Sequence, residues 1–319
     1  MKQLTTVGFL HLKNVEGFDE DEHLARVQEF HSIPDSEKEC LKWHHHNTAN
    51  PNYYRGLAPF VDNDPSHKEL FDMGGSIDLF SEEEKAYPLV EESPFPRGEQ
   101  YAHLKAHYGK MYNLFHALGL NIISLLAIGL GKDRDFFKAW FEKDSLSTFR
   151  SIYYKPRSES TVKSEKLGSE DLKLTTPGHC DSGFITILTT FGYPGLQVEI
   201  DGQFRSIKPE RGCLVVNLGD TFERVTNFKL KATKHRVLDI GVTRYSSPFF
   251  FEPKYSAVIP RNMLAGKDEA TAEPDIVYGV WLLKKILTYA EWLDFKVPEH
   301  KRIYPPGFEP QAEAQENAV

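Results

Sequence analysis

The sequence has few cysteines, an excess of acidic over basic residues, and no long apolar run. Its three cysteines, Cys40, Cys180 and Cys213, are widely spaced, which excludes a disulfide framework and gives no paired-cysteine zinc motif. A net charge of −8 over 319 residues argues against nucleic acid as a partner. No apolar run approaches the roughly 20 residues of a membrane span, and the first segment, MKQLTTVGFLHLKN, does not resemble a secretory signal. We therefore expect a cytoplasmic monomer without a membrane or nucleic-acid partner.

Aromatic and β-branched residues, by contrast, are abundant. The chain contains 22 Phe and 14 Tyr, a composition that suits a β-rich core with a lined pocket. From about residue 145, short segments rich in Val, Ile, Thr and aromatics alternate with Gly, Pro and Asp-Gly signals, which predicts strands. Asp201-Gly202 between two of these segments predicts a hairpin with a type I′ turn. The predicted strands are LSTFRSIYYKP, GFITILTTF, GLQVEI, QFRSIK, GCLVVNL, KATKHRV and DIGVTRYSSPFFFEP.

Helical periodicity occurs before and after this β-rich part. Apolar residues three or four apart predict helices over 19–33, within 98–130 and over about 274–292. The Asn/Pro-rich stretch 44–66 predicts a long irregular loop, and the acidic, Gln-rich tail 309–319 predicts disorder.

These elements predict one α+β domain over residues 1–308. An early strand, VGFLHL (7–12), belongs to a mainly helical N-terminal part of about 144 residues. The core, about 145–255, is expected to be a β-sandwich or jelly roll, with the C-terminal helix closing the fold.

The segment TTPGHCDSGFITILTT (175–190) places His179 and Asp181 directly before a predicted strand. Positions i and i+2 of an extended chain face the same side, so both side chains can reach one ion. His235, in KATKHRVLDIG, is the candidate third ligand on a later strand. Two imidazoles and one carboxylate match the facial triad of non-haem Fe(II) oxygenases. On its own the H-x-D pattern is weak, and a polar pair satisfied at the surface or in the core is the alternative.

Two other histidine-containing stretches are not expected to bind metal. The stretch SHKEL (66–70) repeats the H-x-[D/E] pattern, but its charged composition predicts solvent exposure. The tract HHH (44–46) has no nearby residue that completes a site, so we interpret it as a solvated loop.

A second i, i+2 pair follows nine residues after His235. Arg244 offers a planar fork for a carboxylate, and Ser246 adds a hydroxyl donor on the same strand face. A dicarboxylate bound to the metal at its other end would supply the required anion. The alternative is an ion pair between Arg244 and an internal carboxylate such as Asp239.

Together these motifs resemble the 2-oxoglutarate-dependent Fe(II) dioxygenases of the isopenicillin N synthase-like, plant-type group. The H-x-D pair, a histidine 54 residues later and R-x-S nine residues further form a highly specific set. The resemblance implies a double-stranded β-helix of the cupin-like jelly-roll type, with backing helices. The matching stretches are PGHCDSGFITILTT, GLQV, GCLVVNLGDTFERVTNFKLKATKHRV and RYSSPFFFEP, with RSIYYKP and FHSIPDSEK upstream.

The resemblance also implies a role for each matching residue. His179, Asp181 and His235 would ligate Fe(II), and Arg244 and Ser246 would hold the distal carboxylate of 2-oxoglutarate.

Further residues of the same region follow from the resemblance. The hydroxyl of Tyr154 would assist in binding 2-oxoglutarate, and Thr186 and Leu188 would form a wall of its pocket. The chain departs from the group at Ile152, where many members have Asn, which removes one polar contact to the co-substrate. The segment before VGFLHL is also shorter than is usual in the group.

The implied reaction consumes O2 and 2-oxoglutarate, releases succinate and CO2, and uses ascorbate as a reductant. It hydroxylates, desaturates or oxidatively cyclises a small molecule, which we expect to be an amino-acid-derived or other specialised metabolite. Candidate substrate contacts are Arg55 and Tyr53 in the loop, and Phe249 and Phe251 after the R-x-S pair. Loop packing with a surface ion pair is the alternative for Arg55.

Three other functions compete with this interpretation. Isopenicillin N synthase and aminocyclopropane-carboxylate oxidase also contain R-x-S, so an oxidase of this fold that does not use 2-oxoglutarate remains open. The synthase uses a glutamine near its C-terminus as an iron ligand, whereas Gln311 and Gln315 lie here in a low-complexity tail. A non-catalytic binding module is opposed by the complete triad. A zinc hydrolase would need a general base and has no use for R-x-S.

Overall fold

A computed structural model describes residues 1–61, 66–156, 164–167, 170–260, 264, 275–289 and 295–308. The side chains of residues 164–167 and 170–172 are not among those described. The tail 309–319, predicted to be disordered, and with it Gln311 and Gln315, lies outside these ranges.

The strands form two main antiparallel sheets and one small two-stranded sheet, β13-β14. The larger sheet has the order β1-β10-β7-β12-β4-β3-β2, and the smaller has the order β5-β6-β11-β8-β9. The strands, in chain order, are β1 Phe9–Lys13, β2 Gly56–Ala58, β3 Lys68–Met73, β4 Thr148–Tyr154, β5 Ser164–Leu167, β6 Glu170–His179, β7 Ile185–Thr189, β8 Leu196–Ile200, β9 Gln203–Ser206, β10 Cys213–Leu218, β11 His235–Leu238, β12 Arg244–Phe251, β13 Val258–Ile259 and β14 Ile276–Val277.

The two sheets face each other across one cavity, which both line, as a double-stranded β-helix requires. The α+β jelly-roll prediction is therefore confirmed. The predicted hairpin is present between β8 and β9, where Asp201 and Gly202 have φ values of 53° and 73°. Positive φ at both central residues is the signature of the type I′ turn.

The helices cover the larger sheet and the ends of the barrel. They are α1 Lys2–Thr6, α2 Glu20–Ser32, α3 Asp35–Lys38, α4 Glu82–Lys85, α5 Ala102–Gly129, α6 Asp220–Val225 and α7 Tyr278–Ile286, with short 3₁₀ turns at Glu39–Leu41, Ile77–Leu79, Glu99–Tyr101 and Lys138–Trp140. The C-terminal helix is shorter than the predicted 274–292, because residues 276–277 pair as β14 and the helix ends at Ile286.

Helix α5 packs on the outer face of the larger sheet. The ring of Phe115 stacks on Phe149 of β4 and on Phe249 of β12, with centroids 5.4 and 5.9 Å away. Gly119 allows the close approach, because a Cβ atom there would lie 2.5 Å from the ring of Phe251. This apolar layer fixes which side of β12 faces the helices and which faces the cavity.

The helical stretch Glu99–Gly129 is the one helix among the described residues that is long and apolar enough to cross a membrane. In this structure 44% of its most apolar window is buried inside the protein. The core helix of a soluble protein meets the same length and composition criteria. The buried part of the helix includes the contacts with β4 and β12.

The structure corrects the expectation for the SHKEL stretch. Its glutamate, Glu69, lies on β3 with 3% of its surface exposed, on the face covered by α2 and α3. Lys38 Nζ donates to Glu69 Oε2 at 2.9 Å, and His31 Nδ1 lies 2.7 Å from Glu69 Oε1. A buried carboxylate needs such partners. The charged composition therefore reflects an internal ion pair, which the sequence pattern alone did not reveal.

Candidate functional site

Three donor side chains meet at one end of the barrel. His179 ends β6 and His235 begins β11, and these two residues are directly paired in the antiparallel register. Their Nε2 atoms lie 3.5 and 3.6 Å from Oδ1 of Asp181. The donor atoms of all three residues lie within 4.8 Å of one another. The two strands thus bring together residues from distant parts of the chain.

The far side of each imidazole is held by a hydrogen bond. Nδ1 of His179 lies 2.9 Å from the carbonyl oxygen of Pro177, and Nδ1 of His235 lies 3.1 Å from that of Thr233. A carbonyl only accepts, so each Nδ1 carries a proton, and release of the second ring proton leaves Nε2 with a lone pair directed toward the space beside Asp181.

Asp181 is held by two neutral donors as well as by the two imidazoles. The hydroxyl of Thr186 and the amide nitrogen of Asn217 donate to Asp181 Oδ2 at 2.5 and 2.6 Å, which leaves Oδ1 for the shared space. Burial alone would raise the pKa of this carboxyl, but the hydrogen bond with His179 and the charges of the imidazoles hold it well below its usual range. The carboxylate is therefore ionised, the form in which it binds cations.

These residues fit a divalent metal ion. Two imidazole nitrogens and a carboxylate oxygen converge, and each is oriented from behind, as the ligands of metal centres usually are. The side chains of Asp181 and His235 are 11% and 9% exposed, whereas that of His179 is 41% exposed. Three ligands with one accessible side leave coordination positions for other molecules.

A close contact between two glycines positions the turn that carries Asp181. A Cβ atom at Gly219 would lie 2.2 Å from the carbonyl oxygen of Gly183, so a side chain is excluded there. The N–H of Asp220 donates to the carbonyl of Asp181, and the N–H of Gly219 donates to that of Phe184. The start of α6 therefore holds the turn between β6 and β7.

The arginine and serine predicted to bind a carboxylate lie in the same cavity. Arg244 and Ser246 are each 5% exposed, and Arg244 pairs with Tyr154 in the strand register. The guanidinium lies over the Tyr154 ring at 3.6 Å, and its Nη2 donates to Thr175 Oγ1 at 3.0 Å. Among the described residues no carboxylate forms an ion pair with Arg244, so its charge is available to an anionic ligand.

The cavity that joins the triad and Arg244 has a volume of about 130 Å³. Leu188 and Thr186 form part of its wall, as expected, and Ile152 also lines it. Two further cationic residues, Lys68 and Arg150, contribute to the lining. The cavity therefore combines a largely apolar wall with a metal-type donor set and several cationic side chains.

Residues 146–253 match the model of the 2OG-Fe(II) oxygenase superfamily. This segment contains the three donor residues, Arg244, Ser246 and Tyr154. The chain carries a 2OG-Fe(II) oxygenase domain. The match confirms the resemblance drawn from the sequence motifs.

Two solved structures share the fold of this oxygenase domain and the elements around it. A full-length Neurospora crassa protein in complex with alpha-KG and thymine has a TM-score of 0.72 at 24% identity, covering 90% of this chain and 89% of that one. A 2OG-Fe(II) oxygenase family protein from Caulobacter crescentus has a TM-score of 0.72 at 25% identity, covering 89% and 91%.

Among named sequences, gibberellin 20 oxidase 1 of Arabidopsis thaliana is 34% identical over 205 residues. The alignment covers 58% of this chain and 51% of that protein. The chain thus spans about half the length of the gibberellin oxidase that it matches.

The two loop residues predicted to contact substrate lie outside the cavity of the oxygenase domain. Arg55 is 3% exposed, and its guanidinium donates to Thr148 Oγ1 and to the carbonyl oxygens of Leu146 and Ser147. Tyr53 packs against His44 at 4.4 Å and borders a separate surface cavity. Arg55 therefore packs within the protein, as the alternative interpretation expected. It is buried, however, and among the described residues its guanidinium donates to a hydroxyl and two carbonyl groups instead of a surface carboxylate.

The phenylalanines of β12 lie on alternating sides of the strand. The one that lines the cavity, Phe250, is not among the two predicted to contact substrate. Phe249 and Phe251 are both 0% exposed and pack toward α5, whereas Phe250 lines the cavity of the oxygenase domain. Arg244, Ser246 and Phe250 share one strand face because they are separated by even numbers of residues. Counting from Arg244 would have identified Phe250.

Sequence reasoning also missed Asn217, Thr175 and Arg150. Asn217 faces Asp181 from β10, and its only signal is a polar residue within the apolar run GCLVVNL. Arg150 lies four residues before Tyr154 on the same face of β4, so the alternation could have placed it in the cavity. Thr175 had no distinguishing signal, since it is one of several threonines near the triad.

Proposed function

We propose that this protein is a non-haem Fe(II)- and 2-oxoglutarate-dependent oxygenase acting on a small molecule. The observation that supports this most directly is one cavity shared by two sets of groups. His179, Asp181 and His235 present converging donor atoms within 4.8 Å of one another, and Arg244 and Ser246 present cation and hydroxyl donors. A ligand that chelates a metal and ends in a carboxylate needs both sets.

His179, Asp181 and His235 would hold the iron. Their hydrogen bonds to Pro177, Thr233, Thr186 and Asn217 fix them before metal arrives, so little reorganisation accompanies binding. Bound iron and 2-oxoglutarate would supply the oxidising chemistry with O2, releasing succinate and CO2, with ascorbate as a reductant. The protein would supply the orientation of the bound groups within one cavity.

Arg244 would bind the distal carboxylate of 2-oxoglutarate, with Ser246 and the Tyr154 hydroxyl as further donors. Burial would raise the pKa of Tyr154, but the charges of Arg244 and Lys68, together with hydrogen bonds from Ser246 and Arg244, outweigh burial and lower it. Positive charge therefore dominates this end of the cavity. Ile152 presents an apolar side chain to the same cavity, so the polar contacts are concentrated at the Arg244 end.

For the substrate we propose a small molecule with an acidic group, recognised by Arg150. Nε and Nη2 of Arg150 bind Asp72 at 2.6 and 2.7 Å, which leaves Nη1 uncommitted, and 27% of this cavity-lining side chain is exposed. The proposal that the substrate is an amino-acid-derived or other specialised metabolite therefore depends on Arg150 and no longer on Arg55. The relatives differ in their small molecules, since one is named for gibberellin and another was solved with thymine, so family membership does not identify the substrate.

The reaction on this substrate would be hydroxylation, desaturation or oxidative cyclisation. All three would use the same residues to bind iron and 2-oxoglutarate. We propose that the protein works as a monomer in the cytoplasm, where free thiols such as those of Cys40, Cys180 and Cys213 persist.

An anaerobic titration tests the proposal without knowledge of the substrate. Apo-protein receives Fe(II) and then 2-oxoglutarate, and the visible charge-transfer absorption of the chelated co-substrate is followed. We expect one equivalent of each to bind and, on admission of air, slow formation of succinate. Bound iron without this absorption would instead indicate an oxidase of the same fold that does not use 2-oxoglutarate. Failure to bind iron would contradict the oxygenase function.

A further inference from the structure

A second cluster of potential metal ligands lies away from the triad. His11 on β1, Glu210 in the loop before β10, and Cys213 at the start of β10 place their donor atoms within 4.8 Å of one another. Among the described residues, this cluster and the triad are the two groups of His, Cys, Asp and Glu side chains that meet this criterion.

The strand register explains why these residues meet. On the antiparallel pair β1–β10, Lys13 lies opposite Cys213 and His11 lies opposite Val215. His11 and Cys213 are therefore diagonal neighbours on the same sheet face, close enough for long side chains to touch. Phe9 on that face packs against the ring of His235, so the face is the one that turns toward the barrel interior.

The loop that carries Glu210 and Cys213 is held in place from two directions. Arg211 Nε pairs with Glu20 Oε2 of α2 at 3.0 Å, and Arg211 Nη1 donates to the carbonyl of Phe191. The N–H of Gly212 donates to the same Oε2 of Glu20 at 2.9 Å. The ligand-bearing segment is therefore preorganised, and a metal ion would not have to order it.

The donor set differs in chemistry from the triad. Imidazole, thiolate and carboxylate together favour Zn²⁺ and other borderline or soft cations, and tetrahedral zinc has Zn–S of about 2.3 Å and Zn–N of about 2.0 Å. Those bond lengths place neighbouring ligand atoms roughly 3.5 Å apart, so adjustments of about 1 Å would close the site. We propose that His11, Glu210 and Cys213 form a second divalent-metal site, selective for Zn²⁺-like ions, with water in the fourth position.

Cys213 supports this assignment, whereas the ammonium of Lys13 competes with a metal ion for Glu210. Cys213 is 4% exposed, and its Sγ has one long contact, 3.8 Å from the carbonyl of Leu214. Lys13 Nζ lies 2.5 Å from Glu210 Oε1, in the position that a metal ion would take beside the carboxylate. Because the Lys13 side chain is 55% exposed and flexible, it can withdraw into solvent when a metal ion takes its place.

The site is separate from the catalytic cavity but shares a wall with it. Thr190, Tyr193 and Leu196 line both the cavity of the triad and the small recess beside the second cluster. A metal ion here would tie the edge strand β1 to the loop before β10. Its expected effect is stabilisation of this end of the barrel, independent of iron.

Cobalt titration distinguishes the two sites, because thiolate ligation of Co²⁺ gives an intense near-ultraviolet charge-transfer band. The triad has no sulfur ligand, so the band reports the second site alone. We expect the wild-type protein to bind two equivalents of Co²⁺ and to show the band. Asp181→Ala should lose one equivalent and keep the band, whereas Cys213→Ser should lose the other equivalent together with the band.

Two further variants exclude trivial explanations. His11→Ala changes an exposed residue, so it should fold normally and weaken the second Co²⁺ by about 10-fold or more. Lys13→Met removes the competing ammonium and should tighten binding several-fold. A single equivalent without a sulfur band in the wild type would overturn the proposal, as would a band that is lost in Cys180→Ser and kept in Cys213→Ser. Neither result depends on oxygenase activity.

Discussion

Asp181 and Glu252 are two buried carboxyl groups near the same end of the barrel, held in opposite charge states. The pKa of Asp181 lies well below its usual range, whereas burial raises the pKa of Glu252 to about 8 against the opposing charge of Arg55. The two regions are adjacent, since Gly183, two residues after Asp181, lies against Oε1 of Glu252.

The difference lies in the partners. Asp181 receives hydrogen bonds from Thr186 and Asn217 and faces two imidazoles. Oε2 of Glu252 is buried and has no hydrogen-bond partner in the part of the chain that the structure describes. A buried charge persists only where groups are arranged to stabilise it. Asp181 therefore has the partners that hold a negative charge, whereas Glu252 lacks them.

Asp181→Ala should have the largest effect. Loss of the only carboxylate donor of the triad leaves two imidazoles, and we expect Fe(II) affinity to fall by more than about 100-fold and 2-oxoglutarate turnover to disappear. Equilibrium dialysis of anaerobic protein with Fe(II) measures this directly. Asp133→Ala, an exposed aspartate outside the cavity lining, is the control and should bind iron normally. Unchanged Fe(II) affinity in Asp181→Ala would show that this carboxylate is not an iron ligand.

Arg244→Met tests the other end of the same cavity. Truncating a buried cation that binds a carboxylate typically costs about 2–5 kcal/mol, so Kd for 2-oxoglutarate should rise by roughly 30-fold or more, while Fe(II) binding is unchanged. The charge-transfer titration gives both values from one sample. Exposed Arg205→Met is the matched control, and equal weakening in both variants would mean that overall charge, not this contact, binds the co-substrate.

Glu252→Gln sharpens the contrast, because it should stabilise the protein. The folded-state pKa of about 8 lies above the ordinary value of 4.5, so burial of Glu252 opposes folding increasingly as pH rises from 4.5 to 8. Below pH 4.5 the group is protonated in both states, and the variant should match the wild type. Above pH 8 the full shift applies, and we expect a gain of roughly 2–5 kcal/mol in the free energy of unfolding.

Urea denaturation across this pH window, from about pH 5 to about pH 8, provides the measurement. The exposed glutamate in Glu16→Gln is the control and should show no pH-dependent gain. A Glu252→Gln variant that is destabilised at the upper end of the window would show that the carboxylate is ionised and paired, and the comparison with Asp181 would fail.

The sequence was informative where chemistry is tied to local spacing. His179, Asp181, Arg244 and Ser246 form i, i+2 pairs, and an extended chain puts such pairs on one face whatever the rest of the fold does. The jelly-roll prediction depended on the same local signals, since short β-branched segments and Asp-Gly turns specify strands and hairpins.

What could not be predicted depends on which segments meet. Glu69 was expected in solvent because its neighbours are charged, yet α2 and α3 cover it and supply Lys38 as a partner. Asn217 and Asp181 are 36 residues apart, and no periodicity links them. Arg55 was misplaced for the same reason, because its burial depends on the backbone around Leu146, in a distant part of the chain.

Tyr154→Phe should have the smallest effect. It tests whether the Tyr154 hydroxyl contributes less than the Arg244 guanidinium to binding of 2-oxoglutarate. Removing one hydroxyl leaves Arg244 in place over the ring, and a single neutral hydrogen bond contributes about 0.5–1.5 kcal/mol. We therefore expect Kd for 2-oxoglutarate to rise about 2- to 10-fold, with Fe(II) affinity and stability nearly unchanged. Tyr153→Phe, on the opposite face of β4, is the matched control. A loss as large as that of Arg244→Met would mean that the phenol, and not the guanidinium, is the main anchor of the co-substrate.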